Sequence, residues 1–545
     1  MTQLNKLFSS LCILLTFAGF MVTAEAFSDG FILFGAYSGK ATYLLDSNMN
    51  TITTWDHSKL SDSLNGYSAY LLPNGNLLRS GQVKAVMKGT TQVSPPANAA
   101  PLQGTIDEID AHGKVVWSYQ LADSIYMLHH DFKILPNGNI LAVSFVRYSR
   151  AQMIAAGVDS TIKDNGAKAK AMLGEKIIEI KPDHEKGGGT IVWEWVMLDH
   201  VAPKEQAMGN PHLISGSIVK ELYTGQWVHL NGMDYDSIKD LIVFSSRIFS
   251  EVYVIDHSTT TQEAKGHTGG KFGKGGDILY RWGRSKNYLE NGDTAVRVLH
   301  CPTWIPKGYP GEGHILFFHN NVNGNNPRGI SQVIEIIPPF DANGKFTYTT
   351  GSAFGPVSPI WIYSPSSDFR SDYMSSTFRL PNGNTLIHEA YPGGTGGFGA
   401  SSNSRIREIS PNKTIIDTAS LVIKNNSSGF GMAFNPAKIM YYPSSYPGIN
   451  KLFLALNISN TSKGQQIDVK KQLPKVTLTK DAAVFTNISG CEVSFFALSG
   501  KKIASMRVKS SKFTYNVSHF PVGVYIVKVI SKKEILTSSM FTILP

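Results

Sequence analysis

The sequence predicts an all-β protein, a six-bladed β-propeller followed by a small C-terminal β-sandwich, and three observations predict it. The word Leu-Pro-Asn-Gly-Asn occurs at Leu72–Asn76, Leu135–Asn139 and Leu380–Asn384, each time between two apolar runs. Tyr235–Val243, Ile305–Phe317 and Tyr442–Leu454 carry Pro, Gly or Asp turns in the same setting and bring these hairpins to six. Between them lie six hairpins of a second kind, Ala41–Asp56, Thr105–Tyr119, Lys176–Trp195, Glu251–Trp282, Gln332–Tyr363 and Arg405–Leu421, which tend to end in Trp or Tyr. Six of each make six four-stranded blades, and a closed ring of blades hides the sheet edges.

In chain order, Lys6 precedes the apolar stretch Leu7–Val22, and Ala24-Glu25-Ala26 offers a small-residue cleavage site. Residues 1–26 are therefore expected to be a signal peptide, too short and wrongly flanked for a membrane span. The propeller is expected over residues 27–456. Asn-Gly in each repeated word supplies the two left-handed positions of a type I′ turn. The chain enters the ring on an outer hairpin and leaves it on an inner one, so Tyr442–Leu454 should complete the blade begun by Ala41–Asp56. Excess length sits in turns such as Thr259–Gly276, rich in Gly, Lys and His, where a rigid scaffold usually carries binding groups. Residues 457–473 are polar, without an apolar period, and read as a linker. After it, over 474–545, Glu492–Met506 and Val522–Ile530 alternate as strands of a sandwich.

Composition fits a large β protein, with 42% apolar residues, 50 Gly and only 17% charged residues. The formal charge of +10 comes without any Lys/Arg block or aromatic-basic stripe, so nucleic acid is not expected as a partner. A small acidic substrate, a polyanionic surface or plain solubility accounts for the charge equally well. Of three cysteines, Cys12 leaves with the signal peptide, and Cys301 and Cys491 fall in different domains, which predicts free thiols. No G-x-x-x-x-G-K-[ST] loop is present, so no nucleotide has a seat and no cofactor is expected.

Residues about four to eight positions either side of each inner turn share one face of the ring. On that face stand His130, His229 with Asn231, and His300 upstream of turns, then Ser245 and Arg247, His319 with Asn320 and Asn321, and His388 with Glu389 downstream. A single strand histidine is ordinarily a packing residue, but histidines from four hairpins converging on one rim call for a function. No two histidines share a helix and the cysteines are isolated, so no metal is expected. Neutral imidazoles offer nucleophilic or acid–base groups, with Arg and Asn as donors to an oxyanion, which suits transfer of an anionic group.

Trp227-Val228-His229-Leu230-Asn231-Gly232-Met233-Asp234-Tyr235, Ser245-Ser246-Arg247, Gly266-His267-Thr268-Gly269-Gly270 and Tyr280-Arg281-Trp282-Gly283 together resemble the arylsulfotransferase family, whose members work without a nucleotide sulfate donor. His129-His130-Asp131-Phe132-Lys133 and Arg379–Ile387 extend the resemblance over about residues 30–456. It implies a ping-pong reaction in which a histidine takes a sulfuryl group from an aryl sulfate and passes it to a phenol. It further implies His229 as a sulfate-binding or phenol-activating residue, His300 as a second site histidine, Arg328 as the sulfate-gripping arginine, and His388 as the nucleophile, where many relatives carry Cys. Asn231, Arg247, Asn320, Asn321 and His130 complete the expected substrate-binding set. The sequence departs from the family at Cys301-Pro302, at the extra His319 and in the long Gly393–Ser404 insertion. A non-catalytic secreted propeller that binds sulfated or anionic ligands, and a hydrolase or lyase acting on sulfated glycans, therefore stay open. The words Phe496–Lys502 and Gly523–Val529 resemble the C-terminal sorting domain of the type IX secretion system, which implies an exported protein, secreted or held at the cell surface, with that machinery as a partner.

Overall fold

The computed structural model describes residues 27–60, 64–83, 103–163, 172–292, 296–320, 329–365, 369–393, 403–422, 435–458, 475–478, 482–486, 491–497, 501–509, 512–531 and 534–543. The expected signal peptide, and the expected linker apart from Asn457 and Ile458, lie outside them. The chain forms two compact units, residues 1–456 and 457–545. No described helix is long and apolar enough to cross a membrane.

Six four-stranded antiparallel sheets make up the first unit among its described residues, with one further pair of two-residue strands. Sheet I runs Pro436–Pro443, Gly30–Ala36, Ala41–Asp46, Thr51–Asp56, and sheet II runs Asn65–Leu71, Leu77–Gln82, Gly104–Ile109, Val115–Gln120. Sheet III runs Tyr126–Ile134, Ile140–Tyr148, Met172–Pro182, Gly189–Val196, and sheet IV runs Leu230–Asp236, Leu241–Ser246, Glu251–Asp256, Tyr280–Gly283. Sheet V runs Leu299–Trp304, Ile315–His319, Gln332–Ile336, Trp361–Tyr363, and sheet VI runs Ser376–Arg379, Thr385–Glu389, Asn403–Ile409, Ile415–Val422. The first strand of each sheet packs on the first strand of the next, and that of sheet VI packs on that of sheet I, as in a propeller.

Ring closure differs from the expectation. A single late strand, Pro436–Pro443, pairs with Gly30–Ala36, and the segment expected to return as its hairpin partner is the helix Pro447–Ala455. Proline at its first turn and Ile449, Leu452 and Phe453 on one buried stripe account for the helix. The repeated word also turns differently. Only its glycines are left-handed, at φ 91° for Gly75, 86° for Gly138 and 90° for Gly383, and the glycine N–H closes back on the leucine carbonyl. Proline and asparagine therefore form the centre of an ordinary turn followed by a left-handed glycine, not a type I′ pair, because proline fixes φ near −65° at the first central position. The asparagines have another use. Asn74 and Asn76 donate to Glu108, Asn137 and Asn139 to Glu179, and Asn384 to Glu408, so each word clamps the third strand of its own sheet.

The outer-strand tryptophans have an equally regular task. Indole N–H groups of Trp55, Trp117, Trp195, Trp282 and Trp361 donate to the carbonyls of Asp110, Gly188, Gly276, Pro356 and Pro411, each in the outer connection of the following sheet. Apolar side chains fill the spaces between sheets, as where Leu241, Val243 and Val252 of sheet IV meet Leu299, Phe317 and Ile334 of sheet V.

At the axis, Asp131 of sheet III accepts from Ser68 (2.7 Å) and Tyr70 (3.1 Å) of sheet II, from the Met233 N–H of sheet IV (3.1 Å) and from Lys438 of sheet I (2.8 Å). In the second unit, a three-stranded and a four-stranded sheet face one core that includes Phe485, Val493, Phe495 and Val527, the sandwich that the alternation predicts. Cys301 and Cys491 are both buried and form no disulfide with each other.

Two predictions follow from these contacts. Replacing Lys438 by Ala strands a buried carboxylate and is expected to lower unfolding stability by about 3–5 kcal/mol in urea titrations; a loss below about 1 kcal/mol would mean that the pair does not hold the axis. His257 bridges Asp240 (2.7 Å) and Glu179 (3.1 Å). Burial alone would lower its pKa, but the two carboxylates outweigh burial and raise it from 6.5 to about 9. Its contribution is complete below pH 6.5 and is lost as pH rises through about 9. Stability should therefore fall across that window for the natural chain and less steeply for His257→Gln.

Candidate functional site

Four first strands break their ladders at a similar level, between Asn65 and Ala69, Leu128 and Phe132, Leu230 and Gly232, and His300 and Thr303. At or beside the breaks His130, His229 and Cys301 hold φ of 51°, 58° and 50°. Such angles are uncommon in residues with a Cβ and cluster at functional sites. A bulge re-aims the side chain it carries, and here it brings imidazoles from sheets III, IV and V together. The rings of His130 and His229 are 4.7 Å apart, and the Tyr67 ring of sheet II lies 5.1 Å from His130.

Burial drives the electrostatics of this group. It pushes the His130 pKa well below 6.5, with His229, His129, His300 and Arg247 adding to the shift. His229 is lowered in the same way, first by burial and then by Arg247, His129 and His300. His300 falls to about 3, through burial and Arg247 against the opposing hydrogen bond of Asn320. All three are neutral at pH 7.

Hydrogen bonds decide which ring nitrogens are free. The Asn320 amide donates to the carbonyls of Ser371 and Met374, so its oxygen, 2.5 Å from His300 Nδ1, must accept. His300 Nδ1 therefore carries the proton and Nε2 keeps its lone pair. His229 Nδ1 likewise donates to Gln226 Oε1 at 2.9 Å. Behind His130 stands His129, with Nδ1 to Nδ1 at 2.7 Å, and its Nε2 lies 2.7 Å from Glu175 Oε2. Sequence reasoning missed His129 and Glu175 as site residues; the His129-His130-Asp131 run was the available signal.

Arg247 follows the second strand of sheet IV, its N–H bonded to the His229 carbonyl at 3.0 Å. Burial lowers its pKa, and no carboxylate pairs with it among the described residues. The other predicted residues play different parts. Asn231 donates to the Leu299 carbonyl and accepts from Ser245, which braces sheet IV against sheet V. Asn320 fixes His300. His319 contacts Gln332 and accepts from the Arg297 N–H, and Glu389 is held by Arg405 and Arg407. His388 lies one strand back, on the second strand of sheet VI opposite Ser376, fully buried and with neither nitrogen hydrogen-bonded among the described residues. Burial lowers its pKa to about 3. Asn321 and Arg328 lie outside the described residues.

A cavity of about 160 Å³ opens near the inner turns between Lys133, Asp234, Trp304, Arg379 and Tyr441. Its cations are neutralised, Lys133 by Asp234 and Arg379 by Glu335, so it offers no free charge to an anion. Beside the histidines, Arg247 has no carboxylate partner among the described residues.

No curated protein matches the chain. Among solved structures it is similar to a putative 6-phosphogluconolactonase of Bacteroides fragilis, at 10% identity over 76% of this chain and 98% of that one, with a TM-score of 0.35. A periplasmic gluconolactonase of Pseudomonas aeruginosa gives 10% identity, 76% and 99% coverage and a TM-score of 0.33. The β-propeller domain of Cps50 (Swd1) from Myceliophteria thermophila gives 9% identity, 77% and 91% coverage and a TM-score of 0.34. Likenesses this distant say nothing of activity. Two family profiles match the chain itself. That of the secretion system C-terminal sorting domain covers residues 475–542, which implies handling by the type IX machinery and a place outside the cell or at its surface. That of arylsulfotransferase (ASST) covers residues 22–429, and by that match across most of its length the protein belongs to the arylsulfotransferase family.

Proposed function

We propose that this sulfotransferase moves a sulfuryl group from an aryl sulfate to a phenol through a sulfohistidine. The observation that carries the proposal is an arginine without a carboxylate partner beside three neutral, buried imidazoles. In the first half-reaction a bare imidazole nitrogen attacks sulfur, the N–S bond forms as the ester S–O bond breaks, and aryloxide leaves with the electron pair. In the second, the phenol oxygen attacks that sulfur, its proton passes to a neighbouring imidazole, and the N–S bond breaks. Arg247 is suited to holding the equatorial oxygens throughout, because no carboxylate among the described residues compensates its charge. His229, with Nε2 unprotonated, is suited to taking the phenol proton.

Two histidines compete for the nucleophile. Family resemblance assigns His388, whereas hydrogen bonding favours His300, whose Nδ1–H is anchored and whose Nε2 is free beside Arg247. The test uses the chain without residues 1–26, 4-nitrophenyl sulfate as donor and phenol as acceptor. Arg247→Met is expected to slow turnover by about 10²–10³-fold. His300→Ala or His388→Ala, whichever removes the nucleophile, is expected to abolish a trapped sulfuryl adduct detected by mass spectrometry. Donor binding by the natural chain without nitrophenol release or adduct would instead favour a non-catalytic anion-binding propeller.

Because burial lowers the His300 pKa to about 3, its lone pair stays available far below 6.5. The acid limb of kcat/KM should accordingly lie well below 6.5; a limb at the ordinary histidine value would show that this imidazole is not so buried during turnover.

A further inference from the structure

A second histidine cluster stands away from the rim. His200 ends the short 3-10 helix Met197–His200, while His267 and Asp277 belong to the long connection between Glu251–Asp256 and Tyr280–Gly283. His200 Nδ1 is 2.9 Å from Asp277 Oδ1, and His267 Nδ1 is 2.8 Å from the same oxygen. One ligand-type atom from each of the three falls within 4.8 Å of the others.

The other nitrogen of His200 decides what this convergence means. Its Nε2 lies 3.0 Å from the Ala264 carbonyl, which can only accept, so Nε2 carries the proton. In the neutral ring Nδ1 is then a bare lone pair aimed at a carboxylate oxygen. Two lone pairs repel, so this geometry needs either a proton between the two atoms or a cation that both of them bind from one side. A backbone carbonyl on the far N–H is also the outer contact that orients metal-ligating imidazoles. The ring has little freedom to turn away, since it is fully buried and stacks on Trp195 at 5.4 Å and 6°, while the Trp195 N–H holds the Gly276 carbonyl of the same connection. The His267 side chain is 61% exposed, so the cluster is reachable from solvent.

We propose that His200, His267 and Asp277 bind one divalent cation of the zinc class, tying the long connection of sheet IV to the helix that follows sheet III. Two imidazole nitrogens and one carboxylate oxygen suit a borderline cation and leave a fourth position for water. The connection has reason to need a clip, with left-handed Gly269, Gly270, Gly273 and Gly275 in succession.

The test uses untagged chain without residues 1–26, stripped by chelator and dialysed against Co²⁺ or Zn²⁺. About one metal per chain is expected, with the visible absorption of tetrahedral Co²⁺ and a rise in Tm with Zn²⁺. His267→Ala, which alters an exposed side chain, and Asp277→Asn should each weaken uptake at least about tenfold, while the exposed control His112→Ala should not. No uptake by the natural chain would overturn the proposal and leave a doubly protonated His200 as the reading. Equal uptake by the natural chain and both site variants would overturn it as well.

Discussion

The carboxylate of Asp131 is the point on which the ring depends. It collects hydrogen bonds from sheets II and IV and the ammonium of Lys438 from sheet I, so one side chain joins four of the six innermost strands. Both charged groups are buried, and burying either alone would cost several kcal/mol. Three neutral donors, Ser68, Tyr70 and the Met233 N–H, and the Lys438 counter-ion offset that cost here. The geometry also sets the site, because His130 is the residue before this anchor and inherits its position from it. Charge is compensated at the anchor and, among the described residues, left without a carboxylate partner at Arg247, which separates the group that holds the fold from the group suited to holding an anion.

Neutrality is the second theme. An imidazole can attack sulfur only with its lone pair, and the same burial that lowers the pKa of His300 and His388 preserves that pair. Orientation requires a separate device. At His300 it is an asparagine whose amide is already committed to two carbonyls, so its oxygen has one possible role. At His130 and His229 it is left-handed backbone, a conformational cost that a propeller strand bears only where the surroundings enforce it.

Much of the fold was legible because the physics behind it is local. Hairpin turns follow from Pro, Asn and Gly, and strand faces from alternation, so five inner and six outer hairpins stand where the residues placed them. What escaped was non-local or ambiguous. Asn-Gly fits two turn types, and the preceding proline decides between them. Pro447–Ala455 carries apolar residues that suit strand or helix equally over so short a run, and Pro447 at its start tips the balance. The candidate histidines were legible as a rim, but the bulges that gather His130, His229 and His300 depend on neighbouring sheets. No sequence pattern marks Asn231 and Asn320 as braces, since their partners Leu299 and Ser371 lie 68 and 51 residues away.

Closure by Pro436–Pro443 has a consequence for the order of events in time. Gly30–Ala36 emerges first yet pairs with a strand that follows it by some four hundred positions, and Lys438 reaches Asp131 over a separation of 307. Contacts this distant in sequence make folding slow and leave an unpaired edge until the last strand docks. A chain interrupted before Pro436 would keep that edge open and lack the cation that neutralises the axis. Assembly of the histidine cluster, whose members come from sheets III, IV and V, is thus coupled to completion of the ring, and a truncated product would be prone to aggregate.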